Sequence, residues 1–240
     1  MNALEIVLAP KEPVTLPMAY QHFIQGALYG AWGETVPELH DEGYSDGGRT
    51  FRMFCFSGLE GRYRASGSEI TFSGPLRLEL RSPVPALLEP LTDAFSKERE
   101  LHLGKALLPI SGLYCRDRLD SPARALIEMR TPLSLHRTMP DGSKRYYAPQ
   151  EEDFCLLLAE NLSSKLAAAR LPLDPCIALT PLEGTLKKRV TAFKSSYISG
   201  WAGRFLLEAE PETLSFLYYA GLGASNPKGF GMFDILRPLD

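Results

Sequence analysis

The chain repeats one order of strand and helix patterns, and this repeat constrains its fold more than any other feature. In the first half, a strand pattern at 4–9 and an amphipathic helix pattern at 16–32 precede alternating segments, a helix pattern at 84–98 and a closing strand. The second half gives a hairpin around an Asp-Gly turn, a helix pattern at 150–171, further strands, a short helix and a last strand. The order βαββαβ is typical of ferredoxin-like units. The sequence therefore predicts an α+β fold of two tandem ferredoxin-like domains, with the boundary near 118/119 and domains at 1–118 and 119–240.

Composition is that of an ordinary globular protein and excludes a polycation. Of the 240 residues, 45% are hydrophobic and 23% are charged, and the net charge is −3. A surface for nucleic acid must therefore come from local clusters of basic residues. The four cysteines show no metal-ligand spacing, so we expect reduced, mostly buried thiols. With no signal peptide pattern and no apolar run long enough for a bilayer, we predict a cytoplasmic protein without a membrane partner.

The segment 220–236, AGLGASNPKGFGMFDIL, is rich in glycine and is followed by only a few residues. A Walker loop is excluded because the order of lysine and glycine is wrong and no helix follows. A dinucleotide fingerprint is excluded because Asn226 stands where GxGxxG needs glycine. Two interpretations stay open. One is a turn between a helix and the last strand; the other is a backbone nest, with Asn226, Lys228 and N–H groups facing an RNA phosphate chain.

The same segment resembles the C-terminal glycine-rich loop of the CRISPR-associated repeat endoribonucleases, RAMP-superfamily enzymes that cut precursor CRISPR RNA. The family signature GxGxxxxxGFG fits from Gly221 to Gly231. YQHFIQGALYGAW, LHDEGY and FRMFCFSGL resemble the family's first helix, active-site loop and following strand, and YISGWAGRFLLEAE resembles a second-domain strand. The resemblance implies a C-terminal glycine-rich loop that lies against the cleft between two ferredoxin-like domains and helps to bind RNA. The residues of this loop to which we assign RNA binding are Gly221, Gly223, Asn226, Lys228, Gly229 and Gly231.

The resemblance also implies a catalytic set of three residues. His40 matches the family's catalytic histidine and is expected to act as general acid or base; Tyr29 matches a tyrosine that orients the substrate. Arg52 stands where the family often has lysine, and its charge is expected to stabilise the phosphorane. The implied reaction is attack of a 2′-hydroxyl on the neighbouring phosphate, once within each repeat and without a metal, which leaves a 2′,3′-cyclic phosphate and a 5′-hydroxyl.

Other titratable residues near these positions have simpler interpretations. His22 lies two turns before Tyr29 on the same helix, so it is either a second site histidine or a helix-surface residue. His102 and His136 fall in strand patterns and are expected to be structural. Acidic residues close to His40 do not have the spacing of a calcium loop; they are Asp41, Glu42 and Asp46. No metal and no cofactor are therefore expected.

Basic residues cluster in the second half. The segment LKKRVTAFKSS places Lys187 and Arg189 on one side of a strand, Lys188 on the other and Lys194 beyond it. We assign these four residues to contacts with the RNA backbone, and a solvated face is the alternative. Residues flanking two other hairpins could likewise contact phosphate or water; they are Arg137, Lys144, Arg145, Arg62 and Arg64. If such contacts form, RNA binding depends strongly on salt.

The function predicted from these residues is a metal-independent endoribonuclease that processes precursor CRISPR RNA. Its expected partners are CRISPR repeat RNA and other CRISPR-associated proteins of an interference complex; monomer and homodimer both stay open. The alternative is a non-catalytic RNA-binding RAMP protein that holds guide RNA. The presence of both Tyr29 and His40 favours the enzyme. A nucleotide-dependent enzyme would need a Walker or dinucleotide context that this chain lacks.

Overall fold

The computed structural model describes residues 1–33, 44–46, 48–117 and 121–239, and all structural statements below concern these residues. In chain order, the elements of the first half are β1 (Ala3–Leu8), β2 (Val14–Pro17), α1 (Gln21–Trp32), β3 (Tyr44–Asp46), β4 (Arg49–Phe51), β5 (Cys55–Phe56), β6 (Glu60–Ser66), β7 (Glu69–Arg81), α2 (Glu89–Glu98), β8 (Glu100–Leu103) and β9 (Ala106–Arg116). A single 3-10 turn at Pro85–Leu87 precedes α2.

The elements of the second half are β10 (Arg124–Met129), β11 (His136–Thr138), β12 (Lys144–Tyr146), α3 (Phe154–Ala169), β13 (Ile177–Pro181), β14 (Lys187–Phe193), β15 (Ser196–Ala202), β16 (Arg204–Ala209), α4 (Pro211–Ala220) and β17 (Phe233–Pro238). Another 3-10 turn, Asn226–Lys228, lies in the segment between α4 and β17.

The first sheet has the strand order β2-β7-β1-β9-β8, and β5 and β6 also pair with β7. Every pairing is antiparallel, with Ile6 of β1 opposite Leu78 of β7. Residues 4, 6 and 8 alternate with less buried ones, so one face of β1 carries the core. Against this core α1 buries Ile24 and Leu28, one turn apart. The elements β1, α1, β6, β7, α2 and β9 thus form a βαββαβ unit whose first and third strands are central.

The second sheet has the order β13-β16-β10-β17, again with the first and third strands, β10 and β16, in the centre. Helix α3 connects β10 to β13, and α4 connects β16 to β17. The hairpins β11–β12 and β14–β15 are separate two-stranded sheets. Two units with βαββαβ order confirm the predicted fold class of tandem ferredoxin-like folds. The boundary at 118/119 stays a prediction, since residues 118–120 lie outside the described ranges.

A buried charge network joins the two units. The Arg81 guanidinium donates to the Glu79 carboxylate at 2.7 Å, to the Phe233 carbonyl at 2.6 Å and to Asp234 at 2.7 Å. The ring of Tyr218 lies 3.9 Å below the same guanidinium. Burial raises the pKa of Glu79, but nearby guanidinium groups, Arg81 first, more than offset this and lower that pKa to about 2. The network fixes the first unit against β17 of the second.

The structure departs from the sequence patterns in several places. Strand β7 runs unbroken through thirteen residues, 69–81, across Gly74 and Pro75, a pair that divides the alternating sequence pattern into two segments. The closing strand of the first half is a hairpin, β8–β9, and β13 was not predicted. Of the four cysteines, Cys55 is buried while Cys115, Cys155 and Cys176 are exposed, so the expectation of mostly buried thiols is wrong. No helix of the described ranges is long and apolar enough to cross a membrane.

Candidate functional site

A cleft of about 760 Å³ lies between the two units and collects residues from distant parts of the chain. The first unit contributes residues of α1 and residues 50–53 to its lining. The second unit contributes residues 135–138 at β11, residues of α3 and residues of the segment 220–228. Side chains used in the argument below are Gln25, Tyr29, Arg52, His136, Lys165, Asn226 and Lys228, all of which line this cleft.

Two of the three predicted catalytic residues meet in the cleft wall. Tyr29 lies on α1, and its ring is held edge-on by Trp32 at 5.5 Å and Phe54 at 6.3 Å between ring centroids. Burial raises the pKa of the Tyr29 hydroxyl, and the charge and hydrogen bond of Arg52 offset part of this rise. Tyr29 therefore stays protonated at neutral pH, and its oxygen accepts a hydrogen bond from Arg52.

Of the two histidines considered for the site, the structure describes only His22, and this residue does not line the cleft. His40 lies outside the described residues, as do Asp41 and Glu42. The imidazole of His22 packs on Phe23, 4.0 Å between ring centroids, and its Nδ1 lies 2.7 Å from the Ala19 carbonyl. His22 lines a different hollow, between α1 and β8, rather than the cleft that contains Tyr29. Its position is that of the helix-surface residue in the sequence interpretation.

The segment 221–231 is folded tightly, and its glycines explain how. At Gly231 φ is +78°, and a Cβ there would collide with the Leu222 carbonyl and the Asn226 amide. At Gly223 φ is +66°, and a Cβ would lie 2.5 Å from the Ser134 carbonyl. Side chains are excluded at both positions on conformational and steric grounds. The glycines therefore allow the segment to pack closely on its own turns and on the backbone of Ser134, just before β11.

The buried side chain of Asn226 connects the turns of this segment by hydrogen bonds. The sequence predicts that Asn226 faces RNA, but the residue is 4% exposed. Its amide nitrogen donates to the carbonyls of Leu222 at 3.0 Å and Phe230 at 3.1 Å. Its oxygen accepts from Lys165 Nζ at 2.7 Å, and Lys165 also donates to the Gly221 carbonyl at 2.8 Å. In this conformation the side chain holds the loop together and is not presented to a ligand.

Lys165 and Cys55 form a buried pair of titratable groups at the base of the segment. Burial lowers the pKa of Lys165 to about 7. Burial raises the pKa of Cys55 to about 12, so it is a neutral thiol that donates weakly to the Tyr219 carbonyl. Gln25 of α1 adds a hydrogen bond of 2.8 Å to the Pro227 carbonyl. The segment is thus fastened to both units.

The predicted basic residues separate into two groups. Lys228 lines the cleft, with its ammonium 5.3 Å from the Phe193 ring. Lys187, Lys188 and Arg189 are exposed on β14 and do not line the cleft, although Lys188 stacks over Trp201 at 5.8 Å. Lys194 lies at the turn of the hairpin β14–β15, where its charge still acts on Lys228. The hairpin is therefore a surface beside the cleft rather than part of its wall.

Sequence reasoning missed cleft residues that have no motif. His136 is predicted to be structural, yet it lies in the cleft wall. Lys165 was not singled out, although one signal exists: it falls on the helical face that carries Leu158 and Leu162, where an apolar residue is expected. Within the described ranges no group of three or more metal-ligating side chains occurs.

Comparison with known protein families identifies the family of the second half of the chain. Residues 117–235 match the sequence model of the family described as CRISPR associated protein Cas6, C-terminal. This half of the chain belongs to the Cas6 C-terminal family. The region contains both small hairpins, Lys165 and the tight segment 221–231, whereas Tyr29 and Arg52 precede it. No curated protein sequence is significantly similar to the chain.

Solved structures extend the likeness in fold to the whole chain. A Cas6-related protein from Pyrococcus furiosus superimposes with a TM-score of 0.86 at 17% identity, over 99% of each chain. An RAMP protein binding different RNA substrates gives 0.83 at 18% identity, over 99% of this chain and 100% of the other. A Cas6 product complex gives 0.70 at 18% identity, over 98% and 99%. The Cas6 C-terminal region is thus preceded by a first unit whose fold these proteins share.

Proposed function

We propose that this protein binds CRISPR repeat RNA in the cleft and cleaves precursor CRISPR RNA within each repeat. The observation that carries the proposal is the contact between Tyr29 and Arg52 in the cleft wall, beside the tight segment of the Cas6 C-terminal region. The likeness in fold to a Cas6 product complex supports it. Arg52 and Lys228 both line the cleft, and their positive charge suits contact with a phosphate chain.

The proposed reaction uses the RNA's own 2′-hydroxyl as nucleophile. A bond forms between the 2′-oxygen and phosphorus as the bond from phosphorus to the 5′-oxygen breaks; one proton leaves the 2′-hydroxyl and one reaches the 5′-oxygen. Arg52 stabilises the extra charge of the phosphorane, and Tyr29, kept protonated by burial, donates its O–H to a phosphate oxygen. The products are a 2′,3′-cyclic phosphate and a 5′-hydroxyl.

The proton transfers are assigned to His40. This residue is outside the described ranges, so the assignment depends on the match of LHDEGY to the family's active-site loop. An unperturbed imidazole has a pKa of about 6.5 and can both accept and donate a proton near neutral pH. No step of this scheme needs a metal ion, which makes independence of divalent cations part of the proposal.

The test is cleavage of the source organism's repeat RNA by purified protein in excess EDTA. We expect one cut per repeat, lost with His40→Ala and with a substrate that lacks the 2′-hydroxyl at the cut. His102→Ala is the matched control, because His102 is exposed on β8 away from the cleft and should cut like wild type. Cleavage that needs a divalent cation would contradict the proposed chemistry. Salt-sensitive binding with no cut would favour the non-catalytic RNA-binding alternative.

A further inference from the structure

The hairpin β11–β12 has two chemically different faces. Arg137 and Arg145 are direct cross-strand partners and so share one face. Each has a carboxylate partner: Arg137 pairs with Glu160 at 2.8 Å and Arg145 with Glu151 at 3.1 Å. The basic charge of this face is therefore balanced within the protein.

The opposite face has basic groups without such partners. Its cross-strand pairs are His136 with Tyr146 and Thr138 with Lys144, all on the face away from the arginines. Lys228, from the 3-10 turn of the tight segment, lines the same cleft as His136, and its charge acts on that imidazole. Among the described residues, the ion pairs include neither Lys144 nor Lys228 nor Lys194.

The lack of compensating charge is visible in how these groups act on each other. Burial, then the charges of Lys144 and Lys228, lower the pKa of His136 to about 4. Burial also lowers the pKa of Lys228, and the charges of Lys144 and Lys194 lower it further. Like charges that lie close enough to lower each other's pKa raise the free energy of the unliganded protein, and an anion bound among them would relieve this repulsion.

His136 has one ring nitrogen left for a ligand. Its Nδ1 is buried and has no hydrogen-bond partner. Because a buried N–H without an acceptor is rare in folded proteins, the proton of the neutral ring belongs on Nε2. The imidazole packs on Tyr146 at 5.3 Å between ring centroids, which holds its plane in the cleft wall. Nε2–H is then a neutral donor next to two ammonium groups.

We propose that Nε2 of His136, together with the ammonium groups of Lys144 and Lys228, forms a subsite for one phosphate group of the RNA backbone. Phosphate offers several acceptor oxygens in a compact anion, so one group can accept from an imidazole and two lysines at once. The subsite rests on the proposed function for its ligand, RNA. It adds an RNA contact to the cleft that contains Tyr29 and Arg52, and it gives His136 a binding role.

The first test uses sulfate, whose charge is constant over the pH range of interest, and nuclear magnetic resonance of the histidine rings. The wild-type resonances are assigned with His22→Gln, His40→Gln and His102→Gln variants, so His136 itself is unchanged. We expect a neutral Nε2–H ring whose titration midpoint of about 4 rises by about one pH unit or more in saturating sulfate. The exposed His102 should not move. An unchanged His136 midpoint in sulfate would overturn the subsite.

The second test counts phosphate contacts through the salt dependence of repeat-RNA binding, measured in a His40→Ala background. One phosphate contact on a single strand contributes about 0.7 to the slope of log K against log salt. If Lys144 and Lys228 share one phosphate, the double variant with both lysines replaced by alanine (Lys144→Ala and Lys228→Ala) should have a slope lower by about 0.7. A decrease of about 1.4 would mean that the two lysines contact separate phosphates, which would contradict the proposal. Arg145→Ala is the matched control, since Arg145 is already paired with Glu151, and it should leave the slope unchanged.

The two proposals can fail separately. The sulfate titration contains no RNA, so it can support the subsite in a protein that never cleaves repeat RNA. Conversely, cleavage in EDTA that depends on His40, combined with a His136 midpoint that ignores sulfate, would keep the proposed function and remove the subsite. If RNA raises the His136 midpoint and sulfate does not, the ring is contacted by something other than a phosphate group, and the subsite is again wrong.

Discussion

Asn226 gives the sharpest test of how the tight segment is built. Replacing Asn226 with alanine removes three buried hydrogen bonds: the amide donors to Leu222 and Phe230, and the acceptor for Lys165. A buried hydrogen bond whose partner stays behind unsatisfied costs about 1–3 kcal/mol. Taking about 1 kcal/mol for each, since these effects are not independent, Asn226→Ala should lower the free energy of unfolding by about 3 kcal/mol.

The assay is urea denaturation of wild type and variant, monitored by circular dichroism. Thermal unfolding of the same two proteins is the second measurement. For a chain of this size, a loss of about 3 kcal/mol lowers Tm by roughly 6–12 °C. Ser225→Ala is the matched control. Ser225 precedes Asn226 and is half-buried, and because serine and alanine both carry a Cβ at its positive φ, the change should stay within about 0.5 kcal/mol.

The reasoning would be refuted by an Asn226→Ala variant that unfolds within about 1 kcal/mol of wild type while it loses affinity for RNA. That result would mean that the Asn226 amide is turned toward the ligand, as the sequence pattern predicts, and that the hydrogen bonds inside the segment contribute little.

Three further changes test other parts of the structure. Glu79 has its pKa lowered to about 2 from 4.5, so its contribution of about 3 kcal/mol is present above pH 4.5 and is lost as pH falls toward 2; Glu79→Gln should flatten this pH dependence of urea unfolding. Gly231→Ala forces a Cβ onto the Leu222 carbonyl at positive φ and should lower the free energy of unfolding by about 3 kcal/mol. Gly142→Ala is the control, because its Cβ would meet nothing within 4 Å, and in parallel thermal melts it should cost about 1 kcal/mol. Tyr29→Phe should lower single-turnover cleavage by about 100-fold with RNA affinity unchanged; a rate equal to wild type would exclude its hydroxyl from the chemistry.

The fold could be predicted because the local periodicity of hydrophobic residues indicates its helices and strands. The amphipathic pattern of α1 and α3 and the alternation in β1 depend on near neighbours, and the same order of elements occurs in both halves. Strand β7 was split by the pattern because Gly74 and Pro75 interrupt it, whereas the structure carries the strand through them. Tertiary pairing on both edges of the strand overrides the local signal.

The candidate site was only partly visible in the sequence. The meeting of Tyr29 with Arg52 was expected through family resemblance, since no rule of spacing brings these two residues together. His136 and Lys165 were missed because each looks ordinary in its own strand or helix, and their importance comes from segments far away in the chain. Asn226 was assigned the wrong direction for the same reason: its partners, including Lys165 from α3, appear only when the chain is folded.

The most direct test of the central claim is the chemistry of the RNA ends after cleavage by the wild-type protein in excess EDTA. Mass spectrometry of the two fragments should find a 2′,3′-cyclic phosphate on one and a 5′-hydroxyl on the other, because the attacking group is the RNA's own 2′-hydroxyl. A 3′-hydroxyl with a 5′-phosphate would mean that water is the nucleophile, and would contradict the roles proposed for Tyr29, His40 and Arg52.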